Sequence, residues 1–237
     1  MPPLSVLYED NHLLVVDKCA GLATMGLAPG EATVARAAAE YLKRRYRKPG
    51  NAFVGVVSRL DRLVSGVLVL ARTSKGASRL SQQIREHRVE KRYVAMVEGP
   101  LRFDGPPTAW REICDFVAKD EAAHRMRVVD RSRPGAQLAR LKIRVLGIHA
   151  GRSLVEIDLL TGRKHQIRLQ LAELGHAVLG DTKYGAQRKP GPGIALHCRQ
   201  TTLLHPTRKE PLTFSASAAS HWPRAPAEFL RLLDSLS

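Results

Sequence analysis

Residues 58–73 read SRLDRLVSGVLVLART and place a single acid, Asp61, between Arg59 and Arg62, just before a short apolar strand. Two flanking guanidinium groups favour the ionised form of a carboxyl group. An ionised acid at the mouth of a buried strand is a candidate nucleophile or general base. The alternative is a surface cluster of ion pairs, which is the commoner meaning of such a triplet taken alone. The choice between the two depends on the rest of the sequence.

The composition indicates a protein that binds a polyanion. The chain has 237 residues, 44% of them apolar, and a formal net charge of +16, which suits one large domain or two modest ones. The positive charge is spread along the chain, whereas a membrane-surface protein usually concentrates it in one amphipathic helix or tail. Nucleic acid is therefore the expected partner.

The sequence also indicates where the protein works. The N-terminal apolar runs are short and interrupted by acids, so they predict a strand and not a signal peptide, and no run is long enough to span a membrane. The cysteines Cys19, Cys114 and Cys198 are far apart and lack the spacing of a zinc site or a disulfide framework. We expect a cytoplasmic, monomeric protein with no membrane partner and no bound metal.

Periodicity predicts an α+β fold, with a mixed, mainly antiparallel β-sheet and flanking helices. The irregular, charged stretch from Leu101 to Gln137 is predicted to run over the surface and to be the only plausible seam between two halves. The predicted strands are Ser5–Tyr8, Leu13–Asp17, Lys91–Gly99, Leu141–Leu146 and Ser153–Leu160. The predicted helices are Glu31–Tyr46, Lys75–His87 with Thr73 or Ser74 as N-cap, one within Gly162–Gly175, and Glu228–Leu236.

Three further segments combine with residues 58–73: KRYVAMVEG at 91–99, TGRKHQIRLQLAELGHAVLGDTKYG at 161–185 and ALHC at 195–198. Together, and in this order, the four motifs resemble those of the RluA family of RNA pseudouridine synthases. The resemblance covers roughly residues 5–215. It implies the pseudouridine synthase catalytic fold as a single domain over residues 1–237, which can divide into two subdomains that flank a central cleft.

The sequence departs from the family pattern at several positions. Ser58 replaces the usual histidine, Val64 the usual threonine, and Cys19 and Ala177 two usual prolines. None of these is a catalytic position of the family, so they indicate a divergent branch and not a loss of activity. The family's frequent N-terminal RNA-binding domain of the S4 type has no counterpart before the first strand. We therefore expect the catalytic domain to hold RNA by its own charge.

The resemblance implies isomerisation of a uridine in ribosomal or transfer RNA to pseudouridine. The N1–C1′ bond breaks, the uracil turns, and C5 bonds to C1′. Asp61 would act as the nucleophile, or as the base in a route through an eliminated sugar, and the sequence leaves both open. The reaction needs no metal or other cofactor, and the sequence contains no nucleotide-binding motif.

The family match also assigns the remaining catalytic roles. Arg168 would pair with Asp61 and keep it ionised, and its offset from the apolar stripe of Ile167 predicts that it leaves the core and points into a cleft. Tyr93 would lie against the uracil, and Leu196 would pack on the opposite side of the base.

Six basic residues complete the predicted site. Arg59 would help to extrude the uridine from its stack, or alternatively clamp a phosphate. Phosphate contacts are assigned to Arg62, Arg163 and Lys164, and more loosely to the Lys91–Arg92 pair.

Two other functions fit parts of the sequence. A catalytically silent RNA-binding protein on the same fold would account for the charge, but not for a retained acid, tyrosine and arginine in their motifs. A glycosidase acting on nucleosides or sugars would need a second carboxylate beside Asp61. Asp181 is the nearest candidate, and we interpret it as structural.

Overall fold

The computed structural model of the chain describes residues 4–26, 31–47, 49–106, 108–187 and 193–236. The chain divides into two compact units, one of Met1–Glu90 with Cys198–His221 and one of Lys91–His197 with Trp222–Ser237. The helices are α1 Val34–Arg45, α2 Ser74–Arg85, α3 Gln166–Glu173 and α4 Ala227–Asp234. The strands are β1 Ser5–Glu9, β2 Leu13–Lys18, β3 Gly55–Val56, β4 Ser65–Ala71, β5 Glu90–Glu98, β6 Arg111–Asp120, β7 Arg125–Val128, β8 Gln137–His149, β9 Arg152–Leu159, β10 Leu196–Leu204 and β11 Pro211–Ser215.

In the first unit, β2 pairs with both β1 and β4, β3 pairs with β4, and β10 pairs with β11, all antiparallel. Every residue of β4 is buried, and so are Leu13 to Val16 of β2. Strands that are buried on both faces lose the alternation of polar and apolar residues, which is why these two read as continuous apolar runs. The predicted hairpin of β1 and β2 is confirmed.

Threonine caps set the starts of both helices in this unit. The Oγ1 of Thr73 accepts the N–H of Gly76 at 3.0 Å and begins α2, as predicted. The Oγ1 of Thr33 accepts the N–H of Arg36 at 3.2 Å, so α1 begins at Val34 and not at Glu31. A side-chain oxygen at the N-cap satisfies an amide that has no partner within the helix, and this fixes the first turn.

In the second unit, β9 pairs with β5 and β8, and β6 pairs with β8 and β7, again antiparallel. The predicted pairing of β8 with β9 is confirmed, although β8 is longer than expected. One face of this sheet packs against α3, where Leu169 contacts a cluster that includes Val117, Ala139 and Met126.

The prediction for residues 101–137 is wrong. This stretch contains β6 and β7, which form a hairpin in which Val117 lies opposite Val128. It also lies wholly within the second unit, so it is not the boundary between the two. The signal was hidden because β6 does not alternate cleanly between apolar and polar residues: Asp115 and Lys119 fall on the same side of the strand as Val117.

One face of the second unit's sheet carries a row of charged residues whose signs alternate from strand to strand. Arg92 lies opposite Asp158, Asp158 opposite Lys142, and Lys142 opposite Glu112. Glu112 also accepts a hydrogen bond from Arg140 at 2.6 Å. Opposite charges across neighbouring strands attract each other and leave little net field. We call Arg92, Asp158, Lys142 and Glu112 the charged row; its two positive and two negative charges make it a poor surface for a polyanion.

The predicted fold class is therefore confirmed: the strand pairings described above are antiparallel, and four α-helices accompany them in the residues that the structure describes. Within the described ranges, no helix combines the length and the hydropathy that crossing a bilayer requires.

Candidate active site

Asp61 lies in the segment that joins β3 to β4, directly after the buried side chain of Leu60. The N–H of Val64 donates to the carbonyl oxygen of Asp61 at 3.1 Å and closes a turn. Ser65 and Gly66, which follow this turn, are the first two residues of β4. Asp61 is partly buried, and both arginines that flank it are exposed.

The main chain is anchored on each side of Asp61. On one side, the Oγ1 of Thr24 donates to the carbonyl of Leu60 at 2.9 Å and accepts the N–H of Leu60 at 3.2 Å, and both residues are buried. On the other side, the N–H of Gly21 donates to the carbonyl of Arg62 at 2.8 Å, and the Nε of Arg62 donates to the carbonyl of Gly21 at 2.9 Å. The acid therefore sits between two fixed points, which limits how far its carboxylate can move.

Lys18 contributes a buried positive charge to the same region. Its side chain is 2% exposed, and its Nζ donates to the carbonyls of Cys19 at 2.9 Å, Leu22 at 2.8 Å and Arg62 at 3.3 Å. Burial lowers the pKa of Lys18 to about 8, against the opposing effects of Cys19 and the carboxylate of Asp61. The Lys18 ammonium and the Asp61 carboxylate are therefore within electrostatic range of each other.

The glycine at position 66 is required by a close approach of two strands. Gly66 has φ +112° and pairs with Lys18 in the β2–β4 ladder. A Cβ at this position would overlap the backbone of Cys198. The glycine therefore allows β4 to begin immediately after the Asp61 turn.

In the second unit, Tyr93 lies in β5 opposite Ile157, and its side chain is 5% exposed. Leu196 is the first residue of β10 and is also buried. The residue before it, Ala195, accepts the N–H of Met96 from β5 at 2.9 Å. Strand β5 therefore positions Tyr93 directly and holds the chain that leads into Leu196.

Arg168 lies in α3 and is 3% exposed, so the prediction that it leaves the core is wrong. Its Nε donates to Oδ2 of Asp181 at 2.6 Å, and its NH2 group donates to Oδ1 of Asp181 at 2.7 Å. Residues 166–171 are all buried, because α3 is covered on every side and not along one stripe. A buried guanidinium needs a paired carboxylate, and Asp181 provides it.

Gln166 explains the spacing of the TGRKHQIR motif. Its Oε1 accepts the hydroxyl of Thr161 at 2.8 Å and the N–H of Arg163 at 3.0 Å. Its Nε2 donates to the carbonyl of Arg140 and to the side chain of Gln170, each at 3.0 Å. One buried amide therefore fixes the loop that precedes α3, using all of its hydrogen-bonding capacity.

The basic residues of this motif differ in exposure. Arg163 is half-buried, and its Nε donates to the carbonyl of Leu138 at 2.9 Å. Lys164 is exposed, which suits a contact with solvent or a phosphate.

The structure thus places the predicted site residues in two groups. Asp61, Arg59 and Arg62 share one anchored segment of the first unit. Arg168 and Tyr93 lie on adjoining parts of the second unit's core, with Leu196, Arg163 and Lys164 on neighbouring segments of the same unit.

Sequence reasoning missed two residues that shape the first group, Lys18 and Thr24. A lysine at the end of the apolar run LLVVD was the available signal for Lys18, because a charge that follows a buried strand needs partners. Thr24 carried no comparable signal.

With this geometry established, comparisons with known proteins decide the family. The family model described as RNA pseudouridylate synthase matches residues 12–173, more than half of the chain. The chain belongs to the RNA pseudouridylate synthase family. The matched range contains Asp61, Tyr93 and Arg168.

Curated relatives support the same assignment. The chain is 32% identical over 221 residues to the dual-specificity RNA pseudouridine synthase RluA of Haemophilus influenzae, covering 92% of this chain and 94% of the relative. It is 35% identical over 210 residues to an uncharacterized RNA pseudouridine synthase of Bacillus subtilis, and 34% identical to the ribosomal large subunit pseudouridine synthase D of Nitrosomonas europaea. These alignments cover 87% and 86% of this chain, and 66% and 59% of the two relatives.

A solved structure shows the same architecture. Human RNA pseudouridylate synthase domain containing 4 superposes with a TM-score of 0.71 at 25% identity, covering 98% of this chain and 92% of that one. The prediction of the pseudouridine synthase catalytic fold is confirmed.

The buried ammonium predicts a specific dependence of stability on pH. The folded-state pKa of Lys18, about 8, lies below its ordinary value of 10.5. Between these values the unfolded chain binds more protons at this site, so stability rises with pH in that window. Relative to Lys18→Met, the wild type should gain on the order of 2 kcal/mol between pH 7.5 and 9.5, measured by chemical denaturation.

The matched control for this measurement is Lys142→Met, which removes a lysine of the charged row. Its stability difference from the wild type should stay constant over the same pH range. A constant difference for Lys18→Met as well would show that its pKa is not lowered by burial.

Proposed function

We propose that this protein converts uridine in RNA to pseudouridine and that Asp61 is the residue that carries the reaction. The N1–C1′ bond breaks and a C5–C1′ bond forms, while C5 loses a proton and N1 gains one. The product is an isomer of the substrate, and no electrons are exchanged with another molecule. Nucleophilic and elimination routes both use a carboxylate at this position.

The observation that carries this proposal is the anchored carboxylate. Asp61 lies between two residues whose main chains are held by hydrogen bonds, and the ammonium of Lys18 is close enough to act on its charge. A surface ion pair has no need for main-chain anchors on both sides. A residue that must meet one atom of a substrate does, because misplacement by about 1 Å can cost on the order of 100-fold in rate.

The roles in the second unit follow the family resemblance and belong to the same proposal. Tyr93 lies against the uracil, Leu196 packs on the other side of the base, and Arg168 serves the carboxylate of Asp61 as its cation. The burial of these three side chains supports roles that need a dry environment, where charge interactions are strong. Arg59, exposed beside Asp61, is assigned to extrusion of the uridine.

The proposed substrate is ribosomal or transfer RNA. Relatives of the chain include a ribosomal large subunit pseudouridine synthase D and a tRNA pseudouridine synthase C. The net charge of +16 supports a polyanionic substrate. We also propose that the protein acts as a monomer in the cytoplasm and that its catalytic domain extends over residues 1–237. Free thiols at Cys19, Cys114 and Cys198 suit a reducing compartment.

The bidentate pair of Arg168 with Asp181 argues against a glycosidase. A second carboxylate would have to donate or accept a proton during catalysis. Both oxygens of Asp181 accept hydrogen bonds from a guanidinium, and the residue is 1% exposed. Asp181 is therefore held as the partner of Arg168, which agrees with a structural role and not with that of a second catalytic carboxylate.

A cellular comparison tests the proposed function. RNA from cells that lack the gene is mapped for pseudouridine after the cells receive the wild-type gene or the Asp61→Asn variant. The wild type should restore one or a few defined pseudouridines, and Asp61→Asn should restore none. Asp158→Asn, which removes an acid of the charged row, should behave as the wild type. A map that is unchanged by the wild-type gene would contradict the proposal, and the restored positions would name the RNA.

The dependence of RNA binding on salt tests the assignment of phosphate contacts. The slope of log K against log salt concentration is negative. Lys164→Ala should make it less negative by roughly 0.7–0.9, because one phosphate contact is lost. Lys142→Ala should leave the slope unchanged, since this lysine lies between acids in the charged row. Equal effects of the two substitutions would show that RNA does not distinguish Lys164 from the charged row.

A further inference from the structure

We propose that Asp181 and Tyr184 are positioning residues for Arg168, which together fix both the direction and the plane of its guanidinium group. This inference rests on the proposed function, in which Arg168 serves the reacting carboxylate. It concerns the second unit alone, and we call these two residues with Arg168 the arginine clamp.

Asp181 fixes the direction in which the guanidinium points. The two hydrogen bonds from Nε and NH2 of Arg168 are parallel and short, at 2.6 and 2.7 Å. This bidentate geometry allows one orientation of the group within its plane. It uses two of the five N–H donors of an arginine side chain.

Asp181 is itself fixed relative to the strand that carries Tyr93. Its N–H donates to the carbonyl of Val178 at 2.9 Å, and its carbonyl accepts the N–H of Tyr184 at 3.0 Å. Leu179, two residues earlier, donates its N–H to the carbonyl of Met96 in β5 at 2.9 Å. The carboxylate that holds Arg168 is thereby tied to β5, so Arg168 and Tyr93 share one rigid support.

Tyr184 fixes the plane of the guanidinium. The Cζ of Arg168 lies 5.1 Å from the centroid of the Tyr184 ring, and both residues are buried. A cation over an aromatic face is attracted to it, and the ring blocks tilting in that direction. The Tyr184 ring is held in turn at its hydroxyl oxygen, which accepts the N–H of Met126 at 3.1 Å and lies 3.0 Å from Nδ1 of His165.

His165 shows that this arrangement is held against local strain. It is the N-cap of α3 and has φ +54°, a left-handed conformation that is unfavourable for a residue with a side chain. Its side chain makes no cap hydrogen bond to the helix. Its ring meets the hydroxyl and the ring edge of Tyr184 instead. The start of the helix that carries Arg168 is therefore joined to the clamp.

A double-mutant cycle tests whether Asp181 acts through Arg168. Single-turnover rate constants and KM for RNA are measured for Asp181→Asn, Arg168→Lys and the double variant. Each single variant should lower the rate constant 10- to 100-fold and change KM less than threefold, because orientation and not binding is lost. The double variant should be no more than threefold slower than the slower single one.

Tyrosine variants keep the proposal testable if Asp181→Asn folds poorly. Tyr184→Leu removes the ring and should lower the rate constant about tenfold, whereas Tyr184→Phe keeps the ring and should lower it less than fivefold. Asp10→Asn is the matched control: its carboxylate accepts hydrogen bonds from His205 and Tyr8 in the first unit. It should lower the melting temperature and leave the rate constant of the folded protein unchanged. Its double variant with Arg168→Lys should therefore react at the rate of Arg168→Lys alone.

An NMR measurement of arginine side chains separates failure of this inference from failure of the proposed function. The wild type should show a slowly exchanging arginine Nε–H signal that Arg168→Lys removes and Asp181→Asn shifts. The positioning role would be overturned if the rate losses of Asp181→Asn and Arg168→Lys multiplied fully in the double variant of an active enzyme. It would also be overturned if the single variants changed KM and left the rate constant unchanged. A wild type that forms no pseudouridine would overturn the proposed function and the positioning role with it, whereas the NMR signal would still report the clamp.

Discussion

The structure depends first on the hydrogen bonds that hold the main chain on both sides of Asp61. Thr24 holds Leu60 through one hydroxyl that both donates and accepts. Gly21 and Arg62 hold each other, and the ammonium of Lys18 binds the carbonyls that surround them. A carboxylate on an unanchored turn would sample many positions, and each fixed residue removes part of that freedom before a substrate arrives. The loop after β2, which contains Gly21 and Thr24, thus supports Asp61.

The second unit solves a related problem for a buried cation. Removing Arg168 from water is costly unless its charge and its N–H groups are matched. Asp181 matches them on one edge, Tyr184 covers one face, and β5 fixes Asp181 through Leu179 and Met96. Each unit therefore holds a charged residue in place with hydrogen bonds from other segments of the same unit. The charged row, with its balanced signs, leaves the excess positive charge of the chain to other surfaces.

The sequence was sufficient where a local signal determined the structure. Thr73 predicted the start of α2, and the β1–β2 and β8–β9 pairings followed from runs of apolar residues. It was insufficient where tertiary contacts decided the outcome. Helical periodicity predicted that Arg168 leaves the core, because it assumes that a helix has one buried face. Helix α3 is instead covered on every side. Strand β6 was hidden because charged residues interrupt its apolar positions, and Lys18 became a buried cation only through carbonyls supplied by loop residues such as Leu22 and Arg62.

The most direct test of the central claim is tritium release from RNA labelled with [5-³H]uridine and prepared from cells that lack the gene. Bond formation at C5 expels the tritium, so release reports the isomerisation itself. Purified wild-type protein should release tritium until the target sites are exhausted, and Asp61→Asn should release none while still binding RNA. Equal release by both proteins would remove Asp61 from the reaction. No release by the wild type, despite tight and salt-sensitive RNA binding, would contradict the proposed activity and favour a silent RNA-binding protein.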